Sequence, residues 1–315
     1  MAPRARRDPR RRPPRQRRAG AAADGLPPRA DARGGTVPRV HPLIAPGSRR
    51  TALAQVRTGE PLRPHAPSGG GEGARDLVLV PGLNNSAGVW DDVVSHLPSH
   101  LAARAVDCPP LDDIDAIAAA LLEELPDRFV AVGHSFGGYV VVAMLALAPE
   151  RLEAVALVCS GGYADTPAQA QARLTTAEAA RTGDYIAMAT ARADLLYHPD
   201  NADDAVLAAK RRRGVEEYGV ERYVAHLAAC ASRPDREQLL LDTDVPLLLV
   251  AADGDQVVPP GPRREAAARA GAAFALVPGA GHMLPAEQPA ALAGELAAWL
   301  AATPASRPSL HEETA

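Results

Sequence analysis

Short runs of apolar residues recur along the chain from residue 77 onward. Five of these runs are four residues long, at residues 77–80, 129–132, 155–158, 247–250 and 274–277. Continuous apolar runs of this length are typical of strands that are buried on both faces of a parallel sheet. A weaker run at residues 103–106 predicts one further strand. We therefore expect a sheet of about six strands.

Helical patterns lie between these runs. Apolar side chains at helical spacing predict a helix within residues 112–125 that ends at Pro126, and residues 139–148 and 290–300 predict two more. Strands that alternate with helices indicate an α/β fold, with a mostly parallel sheet and helices on both of its faces. We interpret residues 75–302 as this domain.

The connection between the strands predicted at residues 155–158 and 247–250 is unusually long. It contains almost ninety residues, whereas most connections in α/β domains contain only a few. Ala-rich segments around residues 168–191 and 203–232 indicate that this stretch is helical. We therefore predict a small helical cap at about residues 163–238, placed over the carboxyl ends of the strands, where open α/β sheets bind ligands.

Charge and composition divide the chain into two unlike parts. Residues 1–72 carry 16 basic and 5 acidic side chains and 12 of the 30 Pro, without any Phe, Trp or Tyr. Residues 73–315 carry 18 basic and 33 acidic side chains, so a formal charge of +11 is followed by one of −15. This composition predicts a disordered basic extension over residues 1–74, and we expect a flexible tail over residues 303–315.

The basic extension has three other interpretations, which are a misplaced start codon, an electrostatic tether to an anionic partner and a targeting segment. It has no aromatic side chains on which bases could stack, so we expect no specific nucleic-acid binding. The acidic domain does not attract polyanions through its overall charge, which favours a small neutral or weakly polar ester as its partner. The oligomeric state stays open.

Cysteine content and hydropathy exclude several classes of protein. The chain has three cysteines, an odd number without CxxC spacing, which favours neither a disulfide framework nor a zinc site. The longest apolar run, residues 139–148, has about half of the roughly 20 residues that a membrane-spanning helix needs. We expect a cytoplasmic protein without a membrane span, a bound metal or a cofactor.

Residues 133–137 read GHSFG and lie between a predicted strand and a predicted helix. This is the G-x-S-x-G pattern in the strand-turn-helix context that a nucleophile elbow requires. The glycines leave room for a sharp turn, and Ser135 stands at a helix N-terminus, where the backbone favours developing negative charge. Ser135 is the candidate nucleophile. His134 either packs beside the elbow or contacts the substrate.

A serine hydroxyl is a weak nucleophile until a base removes its proton, so the hypothesis requires a histidine and a carboxylate. Asp253 and Asp255 both follow the strand predicted at residues 247–250, and His282 follows the next strand. We prefer Asp255 because a turn residue must come first, and Asp253 is the alternative. The order along the chain is then Ser135, Asp255, His282.

An oxyanion formed at Ser135 needs two backbone N–H donors. We assign them to Phe136, which follows the nucleophile, and to Leu83, which follows Pro81 and Gly82 after the first strand. Asn84 and Asn85 come next in the chain. They either bind polar groups of the substrate or satisfy hydrogen bonds of the turn.

Together these motifs resemble those of the α/β-hydrolase superfamily, in particular the small capped bacterial esterases and lactonases of the enol-lactonase-like group. The resemblance covers residues 75–302 and implies hydrolysis of a small carboxylic ester, lactone or thioester through an acyl-enzyme. It also implies two strands before Val80, which are not evident in residues 50–74. The motifs that carry it are residues 80–83 (VPGL) with Trp90, 133–138 (GHSFGG), 255–259 (DQVVP), and 281–282 (GH) followed by 287–289 (EQP).

Two alternatives to ester hydrolysis remain. One keeps the triad and changes the reaction, as in carbon–carbon bond hydrolases, perhydrolases or lyases. The other is a non-catalytic receptor for a small ligand on the same scaffold. Among the other polar residues, His96, His198 and His226 are interpreted as surface or capping residues. Residues 210–213 (KRRR) are interpreted first as a solvated helix face, and second as a site that attracts an anionic substrate or carrier.

Overall fold

A computed structural model describes residues 75–304 of the chain. The chain divides into two units, Met1–Leu62 and Arg63–Ala315, and every described residue belongs to the second. The predictions for residues 1–74 therefore lie outside the described residues. So does the predicted tail, apart from Thr303 and Pro304.

Within residues 75–304, six parallel strands form one sheet, which confirms the predicted fold class. The strands lie side by side in the order β2-β1-β3-β4-β5-β6, and all neighbouring pairs are parallel. All residues of β3 and β5 are buried, as their continuous apolar sequences predict, whereas the edge strand β6 is partly exposed. The strands are β1 (Arg75–Val80), β2 (Leu101–Ala105), β3 (Phe129–His134), β4 (Leu152–Val158), β5 (Leu247–Ala252) and β6 (Ala273–Val277).

Twelve α-helices accompany the sheet within the described residues. They are α1 (Asp91–His96), α2 (Ile114–Leu122), α3 (Phe136–Leu147), α4 (Pro167–Thr182), α5 (Tyr185–Thr190), α6 (Ala193–Leu196), α7 (Ala205–Tyr218), α8 (Val220–Ser232), α9 (Glu237–Asp242), α10 (Pro260–Ala270), α11 (Leu284–Glu287) and α12 (Pro289–Ala302). Short 3-10 turns occur at Ala87–Trp90, Pro149–Arg151 and Pro199–Asn201.

Each face of the sheet is covered by its own helices. Val78 and Val80 of β1 point into an apolar cluster formed with α2, α3 and α10. Leu77 and Leu79, which alternate with them along the same strand, belong to a second cluster formed with α1, α11 and α12. The sheet is thus the middle layer of three, and its carboxyl edge is free to carry loops.

The long connection after β4 is helical, as predicted, and contains α4 to α9. Helix α4 begins with a capping box in which Thr166 and Gln169 satisfy each other's backbone N–H groups, with Pro167 in the first turn. Helices α4, α5, α7 and α8 share an apolar core of their own, in which Tyr185, Tyr218 and Tyr223 pack with aliphatic side chains. We call residues 163–238 the cap, and its boundaries stay a prediction.

The two ends of the cap meet at its base. The Arg236 N–H donates to the carbonyl oxygen of Gly162 at 2.7 Å, and the Gly162 N–H donates to Glu237 Oε1 at 2.9 Å. The chain therefore leaves the sheet and returns to it at one point, between the neighbouring strands β4 and β5. Across residues 75–304, none of the helices has both the length and the apolar character to span a bilayer.

Candidate active site

Ser135 lies at the sharp turn between β3 and α3 and has backbone angles of φ 50° and ψ −114°. Such a conformation is strained for a residue with a side chain and needs support from its surroundings. The support comes from the next strand, because the Ser135 N–H donates to the carbonyl of Val158 at 2.9 Å and the Ser160 hydroxyl donates to the Ser135 carbonyl at 2.7 Å. The hydroxyl of Ser135 is thereby held at the end of β3.

The glycines of the elbow are required by close backbone contacts. A Cβ atom on Gly133 would lie 2.4 Å from the carbonyl oxygen of Gly137, and one on Gly137 would lie 2.2 Å from that of Val80. Either atom would overlap the neighbouring backbone. As predicted from the G-x-S-x-G pattern, the glycines leave the room that the sharp turn requires.

The structure brings Ser135, His282 and Asp255 into one hydrogen-bonded chain. His282 Nε2 lies 2.9 Å from Ser135 Oγ, and His282 Nδ1 lies 2.9 Å from Asp255 Oδ2. Because a carboxylate only accepts, Nδ1 carries the proton of the neutral ring and Nε2 is left to accept the serine proton. This is the arrangement in which an imidazole can act as a general base towards a serine.

Asp255 is buried and is held as a carboxylate. Burial alone would raise the pKa of its carboxyl group. Hydrogen bonds from His282 and from the N–H groups of Val257 and Val258, the latter two at 2.8 Å, lower the pKa and together outweigh burial. The pKa is therefore lowered. Asp253, the alternative acid, is exposed and accepts from the Gly279 N–H at 2.9 Å.

A tight turn brings residues 82–85 against Ser135. The Asn85 N–H donates to the carbonyl of Gly82 at 3.2 Å, which closes the turn, and Asn84 has a φ of 59°. A Cβ atom on Gly82 would lie only 3.3 Å from the Cβ of Ser135. Leu83 follows directly and lines the same cavity as Phe136, the first residue of α3, whose N–H has no acceptor within the helix. Leu83 and Phe136 thus line the cavity beside Ser135, and their role as oxyanion donors stays a prediction.

A cavity of about 380 Å³ contains these groups and is roofed by the cap. Ser135, His282 and Leu83 line its floor, and helices α4 to α8 each contribute to its walls. The volume is in the range of small-molecule sites.

The family of the protein follows from comparison with known sequences. A family model described as alpha/beta hydrolase family matches residues 77–295, more than half of the chain. The chain belongs to the alpha/beta hydrolase family. The superfamily that its motifs resemble is therefore confirmed.

Individual relatives match this hydrolase over only part of the sequence or at low identity. A pimeloyl-[acyl-carrier protein] methyl ester esterase of Nitrosomonas europaea is 34% identical over 93 residues, which is 27% of this chain and 37% of that protein. The matched stretch thus spans little more than a third of the relative's length. Two solved structures share the fold at 23% identity and a TM-score of 0.66. They are an esterase of Thermogutta terrifontis (75% of this chain, 91% of that one) and an enol-lactonase of Burkholderia xenovorans (74% and 94%).

His134 of the hydrolase supports the loop that carries His282. Its Nε2 lies 2.8 Å from the carbonyl oxygen of His282, so Nε2 carries a proton and donates to that oxygen. Burial, followed by the nearby charge of His282, lowers the pKa of His134 to about 3, which keeps the ring neutral. His134 packs beside the elbow while also lining the cavity, so a contact with substrate stays a prediction.

Asn84 and Asn85 are buried and hydrogen-bonded to the protein. The Asn85 Nδ2 donates to the Leu83 carbonyl at 3.0 Å, and Tyr185 donates its hydroxyl to Asn84 Oδ1 at 2.7 Å. Arg211 donates to the Asn84 carbonyl at 3.0 Å. These bonds satisfy the turn, as one of the two interpretations required. Both residues also line the cavity, so substrate binding stays a prediction.

Two sequence interpretations of cap residues are wrong. The interpretation of residues 210–213 as a solvated helix face fails at Arg211, which is partly buried and lines the cavity, whereas its neighbours Lys210, Arg212 and Arg213 are exposed. The interpretation of His226 as a surface or capping residue fails because His226 is fully buried. The spacing gave a signal for His226, because Tyr223 and Cys230, three residues before and four after it, lie on the same helical face.

His226 connects the cap to the nucleophile elbow. Its ring stacks on that of Phe136 with centroids 4.5 Å apart, and its Nε2 donates to the carbonyl of Pro109 at 2.7 Å. Its Nδ1 accepts from the hydroxyl of Tyr218. Burial lowers the pKa of His226 to about 4, so the ring is neutral at ordinary pH.

Sequence reasoning also missed polar residues that fix the site from behind. Glu287 accepts from the Gly281 N–H at 2.8 Å and from the His198 N–H at 2.8 Å, which joins the His282 loop to the cap. Asp165 accepts from both Arg173 and Arg233, and these hydrogen bonds overcome the effect of burial and lower the pKa of its carboxyl group. The sequence signal for Glu287 was its position in residues 287–289 (EQP), one of the motifs that resemble those of the enol-lactonase-like group.

One group of potential metal ligands lies at the site. Cys159 Sγ, a carboxylate oxygen of Asp255 and a ring nitrogen of His282 lie within 4.8 Å of one another. Burial, followed by the charge of Asp255, raises the pKa of the Cys159 thiol well above its usual value, which makes it a poor ligand. Asp255 and His282 are already bonded to each other and to Ser135. The set fits a hydrogen-bonded chain better than a metal centre.

Proposed function

We propose that this α/β hydrolase is a serine hydrolase that cleaves a small carboxylic ester, lactone or thioester through an acyl-enzyme on Ser135. The observation that carries the proposal is the chain of two 2.9 Å hydrogen bonds from Ser135 through His282 to Asp255, which opens into the cavity under the cap. The names of a methyl ester esterase and an enol-lactonase among its relatives also support ester or lactone cleavage.

The acylation step uses His282 as a general base. Ser135 Oγ attacks the carbonyl carbon of the substrate while its proton passes to His282 Nε2, and a tetrahedral intermediate forms. The resulting imidazolium is stabilised by the Asp255 carboxylate, which stays ionised because its pKa is lowered. His282 then gives the proton to the departing alkoxide or thiolate, so the acyl group remains on Ser135.

The negative oxygen of the intermediate is stabilised by two backbone donors. The N–H of Phe136 stands at the start of α3, where the helix dipole also favours negative charge. The N–H of Leu83 comes directly after Gly82, on which an added Cβ atom would lie 3.3 Å from the Cβ of Ser135. Removing one such donor in a related type of site costs about 10²-fold or more in rate.

Deacylation repeats these steps with water as the nucleophile. His282 takes a proton from water, the hydroxide adds to the acyl carbon, and Ser135 leaves with the proton returned by His282. The products are a carboxylic acid and the free serine. A lactone would yield one hydroxy acid, and its leaving group would stay attached to the acyl chain.

The test combines turnover of short p-nitrophenyl esters with labelling by a fluorophosphonate. We expect Ser135→Ala and His282→Ala each to lower the rate at least about 10³-fold, because the nucleophile or its base is lost. Ser135→Ala should also abolish labelling. The exposed Ser95 provides a matched control, and Ser95→Ala should leave both readouts unchanged.

Three other results would each overturn the proposal. A wild-type protein that binds small ligands but shows neither turnover nor labelling is a receptor. Labelling at Ser135 without turnover of any ester, lactone or thioester indicates another reaction on the same residues. Turnover that survives in Ser135→Ala places the chemistry elsewhere.

A further inference from the structure

The loop that supplies the Leu83 N–H has an unusual conformation. We call residues 82–85 the oxyanion loop. Its one internal backbone bond joins the Asn85 N–H to the Gly82 carbonyl at 3.2 Å, and its third residue, Asn84, has φ 59°. Asn tolerates this left-handed region better than most residues but still pays some strain there. Additional contacts are therefore needed to hold the loop in this single conformation.

The first additional contact comes from helix α5 of the cap. The buried hydroxyl of Tyr185 lies 2.7 Å from Asn84 Oδ1, and 3.1 Å from the carbonyl of Val215 in α7. A hydroxyl has one proton to donate, and the shorter distance favours Asn84. The contact therefore fixes the side chain of the residue that follows Leu83.

The second contact comes from helix α7. Arg211 Nη1 donates to the carbonyl oxygen of Asn84 at 3.0 Å and lies 3.5 Å from Asn85 Oδ1, while Nη2 donates to the Ala189 carbonyl at 3.3 Å. Within residues 75–304, Arg211 has no carboxylate partner, so its charge-assisted hydrogen bonds go to carbonyl and amide oxygens. It thus binds the peptide unit immediately after Asn84.

We propose that Tyr185 and Arg211 are positioning residues that hold the oxyanion loop so that the Leu83 N–H faces Ser135. The inference rests on the proposed serine hydrolase function. The Leu83 N–H and the Gly82 carbonyl belong to one planar peptide unit, and that carbonyl accepts from the Asn85 N–H. Because the Asn85 N–H shares a second planar unit with the Asn84 carbonyl that Arg211 binds, fixing Asn84 and its carbonyl also fixes the direction of the Leu83 N–H. Neither side chain needs to touch the reacting atoms. The cap therefore has a second role besides enclosing the substrate, because the oxyanion site is complete only when Tyr185 and Arg211 of the cap contact the oxyanion loop.

Tyr185→Phe is the central test, because it removes one hydroxyl and keeps the ring in the cap core. We expect kcat/KM for a short p-nitrophenyl ester to fall about tenfold, in line with a displaced rather than deleted donor. Inhibition by a boronic acid, whose tetrahedral adduct places an anionic oxygen at the oxyanion site, should weaken by a similar factor. Inhibition by an alkyl p-nitrophenyl ether, which has no carbonyl, should stay within about twofold, since ground-state binding does not use the donor.

Tyr197→Phe is the matched control. Tyr197 is also a buried cap tyrosine, but no hydrogen bond of its hydroxyl occurs within residues 75–304, and it does not line the cavity of Ser135. All three readouts should match wild type in this variant. Arg211→Met should lower the first two readouts in the same way as Tyr185→Phe, and thermal unfolding of each variant confirms that it is folded.

A double-variant cycle tests whether Tyr185 acts through Asn84. Asn84→Gly keeps positive φ accessible and removes the amide that Tyr185 contacts. Tyr185→Phe should therefore cause no further loss in the Asn84→Gly background. Multiplied losses would mean that the hydroxyl acts through Val215, and equal weakening of boronic acid and ether inhibition would mean a general loss of the pocket. Either result overturns the positioning role.

The outcome is separable from that of the proposed function. If wild-type protein neither turns over esters nor reacts with a fluorophosphonate, the function itself fails. If wild type is active and Tyr185→Phe or Arg211→Met equals it in rate and in boronic acid inhibition, the function stands and the positioning role of that residue is refuted.

Discussion

The floor and the roof of the cavity are built in different ways. On the floor, Ser135 directly follows β3 and His282 comes five residues after β6, while Asp255, which bonds to His282 from behind, comes three residues after β5. In the roof, Tyr185 and Arg211 come from separate helices and reach a loop more than 100 residues earlier in the chain. Ser135, Asp255 and His282 thus lie on short segments that follow strands, whereas the proposed alignment of the oxyanion loop depends on contacts between distant parts of the chain.

Charge differs between the two regions as well. The domain carries a formal −15 over residues 73–315, yet the cap presents Arg173, Arg192 and Arg211 to the cavity and only one carboxylate, that of Asp165. Asp165 is shared between two arginines. Overall charge is therefore a poor guide to the site, and the neutral substrate expected from it stays a prediction.

The largest effect among variants of the floor beyond Ser135 and His282 is expected at Asp255. Asp255→Asn removes the charge that stabilises the imidazolium and allows the wrong tautomer of His282, so we expect kcat to fall about 10³-fold. Asp253→Asn is the matched control, because an amide oxygen can still accept from the Gly279 N–H. Ester turnover measures both. Similar losses of kcat in the two variants would show that turnover does not depend on the hydrogen bond between Asp255 and His282.

In the roof, the largest expected effect is on stability. The Arg233 side chain is 3% exposed, pairs with Asp165 at 2.9 Å and lies over the Tyr139 ring at 3.9 Å. Arg233→Met leaves a buried carboxylate with one partner fewer, so the free energy of unfolding should fall by about 3 kcal/mol. Arg212 pairs with Glu216 on the cap surface at 2.8 Å, and Arg212→Met should cost less than about 0.5 kcal/mol. Urea unfolding measures both variants. Equal losses in the free energy of unfolding would contradict the expectation that the buried pair of Arg233 contributes more than the surface pair of Arg212.

A smaller effect, on the pH dependence of stability, is expected from one buried histidine in each region. The pKa of His134 is lowered to about 3 and that of His226 to about 4, while both rings in the unfolded chain take up protons near pH 6.5. The unfolded state therefore gains protons first, and stability falls as the pH drops below 6.5. Each histidine should lower the free energy of unfolding by about 2 kcal/mol between pH 7 and pH 5.

His226→Gln separates the two contributions. It should remove about half of this pH dependence in urea unfolding experiments at pH 7 and pH 5, and leave the His134 half in place. A variant that keeps the full slope would show that the cap histidine is not buried as a neutral ring.

The strands and the positions of Ser135, Asp255 and His282 after strands could be predicted because their signals are local. Buried parallel strands are continuous apolar runs, and the GHSFG segment carries its own context of strand and helix. Helix α10 gave no such signal, since it begins Pro-Gly-Pro and buries only Ala266 and Ala267. The role of Asn84 could not be predicted either. Its partner Tyr185 is 101 residues away, and the contact depends on how the cap is oriented.

The hydrogen bond between Arg236 and Gly162 has a consequence for how this protein can change. The chain leaves the sheet for the cap and returns to it at one point between adjacent strands, so the cap is a single insertion into the fold. Exchange of that single contiguous segment would leave the order and pairing of the six strands untouched. A cap from another protein would also need side chains that bond to Asn84. If the proposed positioning role holds, a cap chosen for pocket shape alone would leave Ser135 in place but the Leu83 N–H unaligned.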